Sequence, residues 1–95
     1  MVIVAGHVIL KNGARDRFLA ASEPAVRLAR CATGCRDFAV SADLIDPNRI
    51  NVYEEWETRE DLTRFRESGP DAALMDSIVE VRVREFVVAD ADGRA

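Results

Sequence analysis

The period of the apolar positions changes along the chain, and each change predicts an element boundary. Val2 to Leu10 is rich in β-branched residues around the small pair Ala5-Gly6 and predicts a first strand. After the turn residues Lys11 to Asp16, Phe18, Ala21, Ala25 and Leu28 recur at steps of three and four. They form the apolar stripe of a helix, with Arg15, Arg27 and Arg30 on the solvent side. Pro24 removes a backbone donor and crowds the preceding turn, so a kink or break is expected near Ser22 and Glu23. The helix is expected to stop at Thr33-Gly34, where glycine takes a left-handed cap.

Arg36 to Ala42 and Arg49 to Trp56 read as two strands of a hairpin, with Pro47 of Asp46-Pro47-Asn48-Arg49 at the second position of a type I turn. Thr58 is positioned to cap a second helix, with Asp61 at the capping-box position and Leu62 and Phe65 facing inward. Gly69-Pro70 ends it. A short helical stretch from Asp71 to Ser77 leads to a strict alternation. Val79, Val81 and Val83 lie on one face and Glu80, Arg82 and Arg84 on the other, a last strand. The alternation slips at Glu85-Phe86, which predicts a bulge, and residues 90–95 form a polar tail after a single domain spanning 1–89.

The resulting order is β-α-β-β-α-β. This is an α+β, ferredoxin-like arrangement, with one antiparallel sheet, helices on one face, and the first strand between the third and fourth. The other sheet face is left open, and an apolar face of that size is best covered by a second copy of the chain, giving a homodimer.

Composition narrows the partners. Ninety-five residues, 48% apolar and 32% charged, make one core, and a net charge of −4 with scattered arginines excludes a nucleic-acid surface. The apolar opening is too short to span a bilayer and lacks a basic leader, so it reads as a strand of a cytoplasmic protein without membrane contact. Cys31 and Cys35 lack the C-x-x-C redox spacing and the partners for a zinc site. Two reduced thiols are the favoured reading, with a local disulfide as the alternative.

With these elements in place, Gly34 to Pro70 resembles the antibiotic biosynthesis monooxygenase domain family of dimeric α+β barrels. The features that carry the resemblance are Gly34-Cys35 opening a strand, the Asp46-Pro47 turn, and Tyr53, Glu54 and Trp56 ahead of a Glu- and Leu-containing helix. The resemblance implies a sheet paired with that of a second copy into a barrel. It also implies oxidation of electron-rich aromatics, anthrone- or quinol-like, by O2 without flavin, haem or metal. The family's pocket lies between sheet and helices, and Trp56, Val52, Phe18 and Phe65 are its expected substrate-binding residues here. Some family oxygenases carry an amide four residues before the tryptophan, where this chain has Val52. Haem-degrading relatives need a histidine on the second helix, and His7 is the only histidine of the chain, so that activity does not fit. A non-catalytic dimeric ligand-binding module, or an isomerase or cyclase, is the alternative use of the same fold.

Two residues are candidate catalytic groups. Alternation from Trp56 puts Glu54, Val52 and Ile50 on one strand face, and Glu55, Tyr53 and Asn51 on the other, where Tyr53 and Asn51 suit a subunit interface. His7 lies on the strand placed beside that one, so His7 and Glu54 are expected to approach across the sheet. A histidine with a carboxylate partner can take a phenolic proton near neutral pH. The alternatives are a hydrogen-bonded structural histidine, a Glu54 ion pair with Arg82 or Arg84, and a Trp56 that serves only the core.

Overall fold

A computed structural model describes residues 1–68 and 72–89, with the backbone alone at 72 and 73. The elements are β1 (Val2–Leu10), α1 (Arg15–Arg30), β2 (Cys35–Ala42), β3 (Arg49–Trp56), α2 (Arg59–Glu67), α3 (Ala72–Met75) and β4 (Ile78–Val87). They build one antiparallel sheet of order β2-β3-β1-β4, with β1 between β3 and β4 as the sequence pattern requires. Gly69-Pro70, expected to end the second helix, and the 90–95 tail lie outside the described residues.

Helices α1 and α2 pack on one face of the sheet. Val2, Val4, Val8 and Leu10 of β1, with Ile50 and Trp56 of β3, are buried beneath them. One cluster joins Val2, Val4, Ala29, Phe38, Trp56 and Leu62, and a second joins Val8, Leu10 and Ile50 with Phe18 and Val52 at its margin.

The first helix departs from the expected stripe. Phe18 and Ala25 are half-buried, but Ala21 and Leu28 are exposed, Leu28 to 67%. The inward face carries Leu19, Ser22, Val26 and Ala29 instead, because Ser22, polar but small, donates its hydroxyl to the Phe18 carbonyl 2.7 Å away and so can be buried. Helical hydrogen bonding continues past Pro24, whose ring sits on the exposed side, so the expected break does not occur. The helix ends at Arg30 with Cys31 as its cap, three residues before Gly34. Gly34 takes φ +81° in the turn that follows, where a Cβ would run into the Asp61 side chain.

The capping of α2 is as expected: Thr58 accepts the Asp61 backbone N–H at 3.1 Å. In the β2–β3 turn, the Arg49 N–H donates to the Asp46 carbonyl at 3.2 Å, closing the type I turn around Pro47.

The bulge in β4 sits elsewhere than expected. Register runs unbroken through Glu85, Phe86 and Val87, opposite Val4, Ile3 and Val2. It shifts at the other end, where Ile9 faces Glu80 and Leu10 faces Ile78, leaving Val79 as the extra residue. Alternation is therefore intact at Glu85, and a charged side chain occupies the helix-covered face there.

Gly6 has φ +150°, and a Cβ on it would overlap the Arg82 carbonyl oxygen and crowd the Val83 backbone. The obstacle is main chain and cannot rotate away. Gly6→Ala is expected to cost on the order of 2 kcal/mol in chemical denaturation, with β1 and β4 the first strands to lose amide protection. An unchanged unfolding midpoint would contradict this.

Candidate functional site

Three strands and α2 build a polar cluster on the helix-covered face. Glu54 of β3 is paired through β1 with Val4, which in turn faces Glu85 of β4, so the two carboxylates flank one valine on the same side of the sheet. Trp56, two residues after Glu54, donates its indole Nε1–H to the Glu54 carboxylate at 2.9 Å. The indole is fully buried and packs against Phe65 at 5.3 Å between ring centroids, while Phe65 meets Phe38 edge-on at 5.7 Å. Arg59 and Arg66 stand seven residues apart, two turns of α2, and both reach Glu85 Oε1 at 3.3 Å.

This setting governs the Glu54 proton. Burial of the half-buried carboxyl raises its pKa above the ordinary carboxylate range, and the nearby negative charge of Glu85 adds to the rise. The indole N–H and the Arg66 guanidinium oppose it. Glu54 thus combines an apolar wall, one fixed donor and a neighbouring cation, an environment that holds its carboxyl above the ordinary carboxylate range. Burial is also the first cause raising the Cys35 thiol, followed by the charges of Glu54 and Asp37. Both cysteines are free, and Cys35 packs beside the cluster. Among the described residues, no group of three His, Cys, Asp or Glu side chains is placed to hold a metal ion.

The structure separates the two expected catalytic residues. His7 faces Asn51 on β3 and Arg82 on β4, three residues along from the Val4–Glu54 pair and so of opposite parity, and its side chain leaves the sheet on the opposite, open face. Paired positions on adjacent strands share a face, and the partner of His7 is Asn51, an odd number of residues from Glu54 and therefore on the other face. Arg82 and Arg84 lie on the open face too, and Arg82 pairs with Glu80 at 2.7 Å; the cations beside Glu54 come from α2 instead. Among the expected substrate-binding residues, Trp56 and Phe65 belong to the Glu54 cluster, whereas Phe18 and Val52 pack with Ile50 and Leu10 around the other core cluster. Glu85 and Arg66 were not singled out from the sequence. The broken alternation at Glu85 was their signal.

On the open face a hollow of about 750 Å³ lies over β1 and β4, lined by the side chains of Ala5, His7, Arg82, Arg84 and Phe86. Tyr53 faces Ala5 on the same side and donates its hydroxyl to Glu55 at 2.7 Å. That bond, then burial and the Glu55 charge, pushes the phenol up to about 12 and keeps it protonated.

Residues 1–75, from β1 through α3, match the antibiotic biosynthesis monooxygenase family. The chain belongs to that family. No curated protein matches it. Its fold is that of a proposed antibiotic biosynthesis monooxygenase from Nitrosomonas europaea, at 19% identity and TM-score 0.77 over 93% of this chain and 98% of that one. It is similar also to a conserved protein from Methanosarcina mazei, at 18% identity and TM-score 0.80 over 90% and 89%. A protein from Mycobacterium tuberculosis, at 20% identity and TM-score 0.72, aligns over 99% and 98%. In this antibiotic biosynthesis monooxygenase domain, Gly34, Glu54 and Trp56 of the family pattern have separate physical duties. Gly34 leaves room for Asp61 at the start of α2, Trp56 fills the core beneath α2, and Glu54 receives the indole proton donor. Among the described residues, no helix is long and apolar enough to cross a membrane.

Proposed function

We propose that the protein is a homodimeric monooxygenase that oxidises a small electron-rich aromatic, quinol- or anthrone-like, with O2 and no cofactor. One observation carries the reading beyond family membership: Glu54, half-buried against Trp56, has a raised pKa and a guanidinium nearby. Glu54 accepts the hydroxyl or enol proton of the substrate, and Arg66 offsets the charge of the resulting anion. The anion transfers one electron to O2, and the radical pair combines to form a C–O bond. Protonated Glu54 returns its proton to the peroxide, and the hydroperoxide loses water as its O–O bond breaks, leaving a carbonyl. One oxygen atom enters the product and the other leaves as water, so atoms and electrons balance without a further reductant. The bare apolar strip of β4, where Val81 and Val87 are exposed beside Glu85, provides the approach for a flat substrate.

The open face supports the dimer, because Ile3, Ile9 and Phe86 stand on the side of the sheet that no helix covers. The test of the reaction is oxygen uptake by the metal-free protein on a panel of anthrones and quinols under 18O2. Uptake with one labelled atom in the quinone is expected. No uptake above buffer with any substrate would overturn the oxygenase reading and leave ligand binding or isomerisation.

A further inference from the structure

Two arginines of α2 close on one carboxylate oxygen and leave most of their donors unused. Arg59 and Arg66 lie about 10 Å apart along the helix, and each brings a single nitrogen, Nη1, to Glu85 Oε1 at 3.3 Å. A charge-assisted bond of this kind is usually about 2.7 to 2.9 Å long. Arg27 shows the contrast within the chain, gripping Glu23 through two nitrogens at 3.1 and 2.7 Å. Arg64, between the two on α2, is taken by Asp61 at 3.0 Å. Among the described residues, Glu85 is the only carboxylate within salt-bridge distance of Arg59 or Arg66, and Glu85 Oε1 is the only acceptor of their guanidiniums. Each guanidinium carries several further N–H donors, so most of that capacity stays open.

Charge points the same way. While Glu54 is protonated, two cations stand against one anion, and the cluster lacks one negative charge. Burial favours that protonated form. The group is also reachable from solvent, with the side chains of Arg59, Arg66 and Glu85 exposed to 55%, 51% and 35%.

The sheet sets the length of a molecule that could supply the missing charge. Glu54 and Glu85 flank Val4 in one row, so two strand spacings, about 10 Å, separate their backbones. A flat pair of fused rings spans most of that distance, with a hydroxyl at one end and an acid group at the other. A carboxylate carries the single charge required, whereas a phosphate monoester carries nearly two.

We propose that Arg59 and Arg66 form an anion subsite and that the substrate is an aromatic acid, its carboxylate held by the two guanidiniums and its hydroxyl presented to Glu54. Glu85 holds both arginines toward the sheet in the empty site and shares them with the bound acid. The inference rests on the reading of Glu54 as the base and adds the group at the far end of the substrate.

Binding without turnover tests it. The ligand is a fluorescent hydroxynaphthoic acid with its hydroxyl and carboxylate at opposite ends of the ring pair, compared with its methyl ester in anaerobic titrations. The acid is expected to bind the parent at least about tenfold more tightly than the ester, the worth of a charge-assisted contact. Arg59→Gln and Arg66→Gln should each reduce that preference, and the double variant should abolish it while leaving ester binding unchanged. Circular dichroism verifies that the variants fold. An ion pair that serves only the fold would move acid and ester alike. Equal affinity of the parent for acid and ester, no binding of the acid at millimolar concentration, or a preference that survives in the double variant would overturn the subsite. Oxygen takes no part in this measurement. An acid preference in a protein that consumes no oxygen would strike the reaction proposed above and leave the subsite standing.

Discussion

Trp56→Ala is expected to destabilise the protein by about 4 kcal/mol, the loss typical of deleting a large buried aromatic. The indole is fully buried, packs on Phe65 at 5.3 Å, and satisfies half-buried Glu54 with its only N–H. Truncation therefore opens a cavity and also removes the donor that lowers the cost of ionising Glu54. Trp56→Phe separates the two effects. It keeps most of the apolar volume and should cost less, with the remaining loss growing as Glu54 ionises. Urea unfolding of both variants reads these differences directly, and a loss below about 1 kcal/mol for alanine would contradict a core role for this residue.

Glu54→Gln is expected to act on stability and activity in opposite directions. Because folding raises the Glu54 pKa, its stabilising contribution is fully present below the unfolded carboxyl value and is lost as pH rises through the folded one. Glutamine keeps an oxygen to accept the Trp56 N–H and has no charge to bury. The variant should therefore gain on the parent as pH rises through that window and hold a constant advantage above it. Denaturation midpoints measured at several pH values give the comparison; parallel profiles would mean that Glu54 does not carry a raised pKa. On activity the same substitution removes the proposed base, and a loss of about 100-fold or more is expected.

The order of strands and helices was legible in the sequence because each element has its own period and the turns carry their own chemistry. Thr58-Asp61 and Asp46-Pro47 are local signals that depend on nothing distant. The helix stripe was less so: Ser22 is buried by bonding its own backbone, and Leu28 is left exposed. The site was half legible. Alternation placed Glu54 and Trp56 together correctly, since they share one strand. His7 was assigned to the same group because parity within a strand does not say which face pairs with which in its neighbour. The register, Val4 opposite Glu54 and His7 opposite Asn51, decides that question. Glu85 escaped for a related reason: a charge at an inward position looks like a bulge until Arg59 and Arg66 are seen reaching down from α2.

Glu54 is the group proposed to take the substrate proton. The most direct measurement is oxygen uptake against pH for the parent and Glu54→Gln, on an accepted substrate whose hydroxyl does not titrate in the range. The parent rate is expected to rise as Glu54 ionises and then level, with the glutamine variant about 100-fold lower and free of that titration. A glutamine variant that consumes oxygen at the parental rate, with the same pH profile, would contradict it.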